Sequence, residues 1–417
     1  MRQFSRTGGF DAPYVGLRGL LERSLDGVRL MSSLSGRSEV QALRSQQIRE
    51  VANAAIGRMD VLPFWFGESH RATAPEIRKA GAAALERGET FYAPTLGLAT
   101  LREELAAYLS RLHGSLAADR IAVTSLGVSS LMIALQSLVN AGDTVVAVTP
   151  VWPNLCEIPR ILGATVHSVP LEFGSQGWTL NLGRLIDAIR PGVAAVIINS
   201  PNNPTGWTIT RREQEEILAR CRELGVWLIT DDVYERVYFS GPCAPSFLDI
   251  AHPLDRLVSC NSFSKAWRMT GWRVGWAVVP AALLESFGKL IEYNTSCAPG
   301  FVQAAAREAL RSRAEDIEEL VREIKANRDK LYARLGAVDR IEIGMAPRGG
   351  MYAFFRIRGM TNSLAFCKDL VVNAGVGIAP GSAFGSEAPE FLRWCVAADP
   401  AKLEEGLERF VRYLGHQ

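Results

Sequence analysis

From residue 121 to residue 279 one pattern recurs, and it restricts the fold more tightly than any other feature: a short apolar run, then a longer stretch of helical periodicity. The runs fall at 121–124, 144–149, 165–169, 193–199, 226–230, 257–260 and 274–279. Thr144-Val-Val-Ala-Val-Thr149 and Val193-Ala-Ala-Val-Ile-Ile-Asn199 are apolar without alternation. A strand with one face in water carries polar residues at every second position, so continuous runs require cover on both faces. The expectation is an α/β fold with a mainly parallel seven-stranded sheet wrapped by helices. In such sheets ligands bind outside the carboxyl ends of the strands. Polar residues follow five of the runs there, at 125–130, 152–154, 199–206, 231–234 and 261–265.

The flanks read differently. Residues before about Arg29 are Gly- and Arg-rich without periodicity, and 1–37 is expected to be an N-terminal arm. Val40, Leu43, Ile48, Val51, Ala55 and Ile56 predict a helix over 38–59, followed by a strand and loop in Leu62-Pro-Phe-Trp-Phe-Gly-Glu-Ser-His70. Helical stripes resume at 75–85 and 101–112. Ile317, Leu320, Val321, Ile324, Leu331 and Leu335 mark a long helix linking two lobes. Beyond it, strands at 341–343, 351–357 and 392–396 mix with helices at 363–373 and 400–414. The expected division is arm 1–37, small-domain segment 38–75, large domain 76–300, linking helix 301–335 and small α/β domain 336–417.

Composition narrows the partners. With 46 basic and 44 acidic residues the net charge is +2, which gives no long-range field for nucleic acid or an anionic membrane. No apolar run is long enough to span a bilayer. The seven cysteines are scattered, with no Cys-x-x-Cys, as for reduced thiols in a cytoplasm. The five histidines show no ligand spacing, so no metal is expected. Residues 1–28 contain Asp11, Glu22 and Asp26 and no apolar core, unlike a secretory signal. Small molecules are the expected partners.

The chain has only seven lysines, and six of them lie in charged helical segments. The seventh, Lys265, sits in Asn261-Ser-Phe-Ser-Lys-Ala-Trp-Arg-Met-Thr-Gly-Trp-Arg-Val-Gly-Trp276. A solvated surface lysine is the ordinary reading. A nucleophilic lysine needs its pKa brought down from about 10.4 by burial or cationic neighbours, and Arg268, Arg273 and the tryptophans are suited to that. Asp231 closes an apolar run, where a carboxylate is costly without a partner. It caps the following turn, or it faces a pyridine nitrogen and keeps it protonated. Tyr234 shares that turn. Asn199-Ser-Pro-Asn-Asn-Pro-Thr-Gly206 is a turn whose amides could also bond a phenolic oxygen. Trp152 is a core residue or a platform for a planar ring. Thr124-Ser-Leu-Gly-Val-Ser-Ser130 is a capped helix start or a phosphate site, with Ser262, Ser264 and Arg273 able to reach the same anion. Neither a Walker A sequence nor a Gly-x-Gly-x-x-Gly follows the first run, which disfavours a nucleotide.

Taken in order, Asn202-Asn-Pro-Thr-Gly206, Asp231-Asp-Val-Tyr-Glu235 and Ser262-Phe-Ser-Lys265 with Arg273 eight residues on resemble the class I/II aminotransferases, pyridoxal-phosphate enzymes of fold type I. The likeness runs from about Ser38 to the C-terminus. It implies the large domain described, a small domain from both chain ends, pyridoxal 5′-phosphate as cofactor, and a homodimer with its active sites at the interface. Lys265 then corresponds to the Schiff-base lysine that also shuttles the proton. Asp231 pairs with the pyridine nitrogen, Tyr234 and Asn203 with the ring hydroxyl, and Trp152 stacks on the ring. Gly127, Val128, Ser129, Ser262 and Arg273 match the phosphate cup, and Tyr92 reaches the partner subunit's phosphate. Arg393 matches the arginine that forks onto the substrate α-carboxylate, with Gly67 beside it. The family's usual Gly-Glu-Pro-Asp is Gly67-Glu-Ser-His70 here. Ser129 stands where one subgroup of aspartate aminotransferases has a lysine that helps hold a side-chain carboxylate. The expected activity is transfer of an amino group from an L-amino acid to a 2-oxo acid, with a C–S β-lyase on the same scaffold as the alternative. A ligand-sensing regulator on this fold would need a DNA-binding domain, and no recognition-helix pattern precedes Ser38.

Overall fold

The computed structural model describes residues 36–311 and 314–415. The seven expected strands form one sheet: β1 (Ile121–Thr124), β2 (Thr144–Thr149), β3 (Thr165–Pro170), β4 (Val193–Asn199), β5 (Trp227–Asp231), β6 (Leu257–Ser262) and β7 (Gly275–Val278). Their order is β1-β7-β6-β5-β4-β2-β3, with β7 antiparallel to both neighbours and the other pairings parallel. The unbroken apolar runs have a simple cause. Val145 and Ala147 join a cluster with Leu131, Ile133 and Phe287, while Val146 and Val148 join one with Leu185, Ile189 and Ile217. Successive side chains point to opposite faces, and both faces are dry. Each such valine contributes roughly 1.5–3 kcal/mol of burial.

Two strands carry polar side chains beyond their apolar runs. β5 includes Asp231, paired with Asn199 and Cys260, and β6 includes Ser262, paired with Gly275. Backbone pairing decides membership in the ladder, so polar side chains are carried to the strand ends, where the site forms.

The tail builds a second, antiparallel sheet of β8 (Ile341–Glu342), β9 (Tyr352–Ile357), β10 (Ala379–Pro380) and β11 (Phe391–Cys395), in the order β8-β9-β11-β10. The two-residue strand Leu62–Pro63 pairs parallel with Val376–Gly377 and ties the early chain to this layer. Helices α1 (Gln47–Asn53), α2 (Gly127–Leu138), α3 (Ala314–Gly336), α4 (Ser363–Ala374) and α5 (Pro400–Gly415) are those used below. Leu320 and Ile324 of α3, Leu370 of α4 and Phe410 of α5 pack with Phe355 and Trp394. The rings of Trp394 and Phe410 meet edge to face at 5.5 Å.

The helix expected over 38–59 is two short ones, Ser38–Gln41 and α1. Just before α1, Arg44, Ser45 and Gln46 carry no apolar side chain to hold a helix against a core. Contacts divide the chain into the units Met1–Arg44 and Ser45–Gln417. The first contributes the helix Ser38–Gln41, and the arm expected over 1–37 lies outside the described residues except for 36 and 37. Over 301–335 there are two helices, Gly300–Arg311 and α3.

Candidate active site

The carboxyl ends of β4, β5 and β6, the start of α2, β11 and the segment after Leu62–Pro63 enclose a cavity of about 580 Å³. Every residue singled out for the site lines it except two. Ser129 is half-buried in the first turn of α2, and Tyr92 is 90% exposed.

Lys265 follows β6 and is half-buried, with Nζ donating to the Gly67 carbonyl and lying 5.8 Å from the Tyr234 ring centroid. Burial pushes its ammonium down to about 8, and Arg393 adds to this against Cys395, Glu68 and Asp231. Near neutral pH a useful fraction of the amine is therefore free base. Asp231 is buried at the end of β5, where desolvation pushes its carboxyl up to about 7. One oxygen accepts the Val233 N–H at 3.3 Å, so the turn-capping reading holds for that atom. Beyond it, and the charge of Lys265, nothing among the described residues compensates the carboxylate. It has the environment of a group that awaits a cation. The adjacent Asp232 is also pushed up to about 7 by burial, but it differs in that one of its oxygens accepts from Thr230 Oγ1 at 2.8 Å and Ser259 Oγ at 2.6 Å.

Asn199 fixes the turn beside it: its Nδ2 donates to the Asp231 carbonyl at 2.9 Å and its Oδ1 accepts the Asn203 N–H at 2.7 Å. The Asn203 side chain is left for the cavity, where Oδ1 accepts from Arg393 Nη1 at 3.0 Å. Arg393 is buried in β11, donates Nη2 to the Trp65 carbonyl, and lies over the rings of Tyr352 at 4.4 Å and Phe384 at 4.8 Å. Its Nε is buried without a hydrogen-bond partner. A guanidinium held in this way has an orphan donor that a carboxylate can satisfy. Tyr234 shares a 2.6 Å hydrogen bond with Tyr352.

At the other end of the cavity α2 begins at Gly127 without a side-chain cap. The Thr124 hydroxyl donates instead to the Leu126 carbonyl at 2.9 Å and meets Ser130 Oγ at 2.7 Å. The first-turn N–H groups therefore stay open, at the positive end of the helix dipole. The walls are close: a Cβ on Gly127 would sit 3.1 Å from Ser262 Cβ, and one on Gly275 2.6 Å from the Asn261 carbonyl oxygen. Arg273, also on the wall, takes a left-handed φ of 55°, which costs a non-glycine residue about 1–2 kcal/mol. Such strain collects at functional sites.

The sequence pattern of "Aminotransferase class I and II" matches residues 63–410. The chain belongs to the class I and II aminotransferases. It is 31% identical to an aspartate aminotransferase of Pyrococcus abyssi, over 88% of this chain and 95% of that one. It is 29% identical to an aromatic-amino-acid aminotransferase of Thermococcus litoralis, over 92% and 98%. The solved aspartate aminotransferase of Thermotoga maritima superposes with a TM-score of 0.85 at 28% identity, covering 91% of this chain and all of that chain, 100%. This protein is an aminotransferase of fold type I that uses pyridoxal phosphate and acts on an amino acid and a 2-oxo acid. The β-lyase alternative is not favoured by these relatives. The cavity fits the cofactor on two counts: an under-compensated buried carboxylate for its ring nitrogen, and an uncapped helix start with Arg273 for its phosphate.

Tyr352 and Trp65 line the cavity but went unnoticed in the sequence, where they read as apolar strand residues. The pair Gly349-Gly350 just before Tyr352 was the available signal of close backbone approach: a Cβ on Gly349 would come 2.6 Å from Pro201 Cγ. Trp267 and Trp276 pack with Phe263, both at 4.9 Å between centroids, and Trp272 Nε1 donates to Thr73 at 3.0 Å. Among the described residues no cluster of His, Cys, Asp or Glu could hold a metal ion, and no helix is long and apolar enough to cross a membrane.

Proposed function

We propose that the enzyme moves an amino group from an L-amino acid to a 2-oxo acid with Lys265 as its central base. The single observation that carries this reading is the convergence of Lys265, Asp231 and Arg393 on one cavity, where burial also lowers the Lys265 ammonium. The cofactor, when bound, supplies an electron sink that acidifies the substrate Cα proton. Lys265 would anchor the cofactor, and its Nζ, once free, would take the proton from the substrate Cα. Asp231 would keep the ring nitrogen protonated, and Tyr234 and Asn203 would hydrogen-bond the ring hydroxyl. Trp152 would stack on the ring. The N–H groups of Gly127, Val128 and Ser129 would receive the phosphate, together with Ser262 and Arg273. Arg393 forks onto the substrate α-carboxylate, with the Gly67 backbone beside it.

The exposure of Tyr92 at 90%, next to Phe91 at 86%, suits residues covered in a homodimer, with Tyr92 reaching the partner's phosphate. We assign the segments 38–75 and 336–417 to one small domain and 76–300 to the large one. Among the described residues no disulfide joins the scattered cysteines, which suits a cytoplasmic protein. The test is spectroscopic. Protein loaded with pyridoxal phosphate should change its visible absorbance on addition of a reactive amino acid and recover it on addition of a 2-oxo acid. Lys265→Ala should lose turnover by about 10³-fold or more; activity within tenfold of the parent contradicts the assignment.

A further inference from the structure

Two buried phenols share one hydrogen bond on the cavity wall, and the mechanism above uses only one of them. Tyr352 opens β9 and pairs with Cys395 of β11, two residues beyond Arg393. Residues two apart on a strand face the same side, so the Tyr352 ring is a diagonal neighbour of Arg393, whose Cζ lies 4.4 Å from the ring centroid. The Tyr352 hydroxyl is 2.6 Å from that of Tyr234. Among the described residues this is the only hydrogen bond that either hydroxyl makes. The space around Tyr352 Oη is cut close, since a Cβ on Gly67 would sit 1.8 Å from it.

Each phenol has one proton. In a bonded pair one hydroxyl donates, and the other keeps its proton for a third group. On the reading above, which this inference rests on, the third group is the cofactor's ring hydroxyl, and the phenol that meets it is Tyr234. The surroundings decide which way the bond runs, because the stronger acid is the better donor. Burial raises both phenols, Tyr234 well above its ordinary value and Tyr352, under the opposing charge of Arg393, to about 12. Asp231 disfavours ionisation of both, and Cys395 that of Tyr352. Lys265 Nζ lies 5.8 Å from the Tyr234 ring centroid, further than Arg393 is from Tyr352.

We propose that Tyr352 is a positioning residue: it donates to Tyr234 Oη, which leaves the Tyr234 proton for the ring oxygen and strengthens Tyr234 as its donor. Arg393 then acts on both donors of that oxygen, on Asn203 directly at 3.0 Å and on Tyr234 through the polarised Tyr352 ring.

Tyr352→Phe removes the hydroxyl and keeps the ring against Arg393. Two readouts besides turnover test it. In the cofactor-loaded protein the ring hydroxyl is ortho to the carbon that Lys265 would hold, so a weaker donor leaves more negative charge beside the Lys265 nitrogen. The pH midpoint of the visible absorbance should therefore rise by about 0.3–1 unit, the scale of one neutral hydrogen bond. Pyridoxine 5′-phosphate has an alcohol in place of the aldehyde and cannot join Lys265. Calorimetry should show it binding the cofactor-free variant about two- to tenfold more weakly than the cofactor-free parent. Both effects should vanish in a Tyr234→Phe background, where Tyr352 has no hydroxyl to serve. A parent that does not bind this analogue, or a midpoint or affinity unmoved by Tyr352→Phe, overturns the inference. A change of the same size in the Tyr234→Phe background, as packing alone would give, also overturns it. Binding that depends on Tyr352 through Tyr234, in a parent that turns over no amino acid, sinks the proposed function but keeps the role of Tyr352. Turnover by a parent whose binding is indifferent to Tyr352 does the reverse.

Discussion

Replacing Arg393 by lysine keeps the charge and removes the fork. The guanidinium spans two acceptors, Asn203 Oδ1 at 3.0 Å and the Trp65 carbonyl, while its buried Nε remains unpaired and two aromatic rings hold its plane. An ammonium is a point donor on a flexible stem and cannot hold both acceptors while presenting two donors to a carboxylate. At least one charge-assisted bond to the substrate is lost, about 1.5–3 kcal/mol, which is roughly 10- to 150-fold in kcat/KM. One protein acceptor is also left unmet, at about 1–3 kcal/mol of stability. Initial rates over a range of donor concentrations, alongside thermal melts, measure both effects. The loss should fall mainly on KM, because the α-carboxylate is bound in ground and transition states alike, and the bound-cofactor spectrum should be unchanged. A kcat/KM within threefold of the parent refutes the assigned fork.

Asp231→Asn should stabilise the cofactor-free protein, with a definite pH dependence. The carboxyl is raised from 3.8 to about 7 by burial, so its contribution to stability is full below pH 3.8 and is lost as pH rises through 7. The variant should therefore exceed the parent at pH 8 by up to about 4 kcal/mol and converge with it toward pH 4; a gap independent of pH refutes the cause. With pyridoxal phosphate added, the parent should gain more in thermal stability than the variant. Gly67→Ala should place its Cβ 1.8 Å from Tyr352 Oη, displacing that ring from Tyr234, and lower kcat/KM by about tenfold or more with far-UV circular dichroism unchanged. Normal kinetics in this variant means that the segment yields freely. Phe410→Ala, in the core under the second sheet, should cost about 3–5 kcal/mol and lower the melting temperature without altering the pH profile of activity.

Six strands of the large sheet were legible because strands buried on both faces need unbroken apolar runs; β3, with His167 and Ser168, is a mostly exposed edge strand. The strand ends were less so: Asp231 and Ser262 continue their ladders by backbone pairing, which side-chain polarity conceals. The pairs Leu62–Pro63 with Val376–Gly377, and the strand Ala379–Pro380, are too short for any periodicity. Lys265 emerged from its rarity and its neighbours. Arg393 did not: in Phe391-Leu-Arg-Trp-Cys395 it looks like a charged interruption of an apolar strand, and family resemblance alone singled it out. Tyr352 remained hidden because a cavity-facing tyrosine and a core tyrosine in a strand have the same sequence signature.

The central claim is that the amino group is held by the enzyme between two substrates. A known amount of active sites, loaded with pyridoxal phosphate, is mixed with excess amino donor and no 2-oxo acid, and the oxo acid formed is counted. One equivalent per site, followed by arrest, and resumption when a 2-oxo acid is supplied, is the predicted result. Continued release of oxo acid and ammonia without an acceptor, or none with any donor, contradicts it.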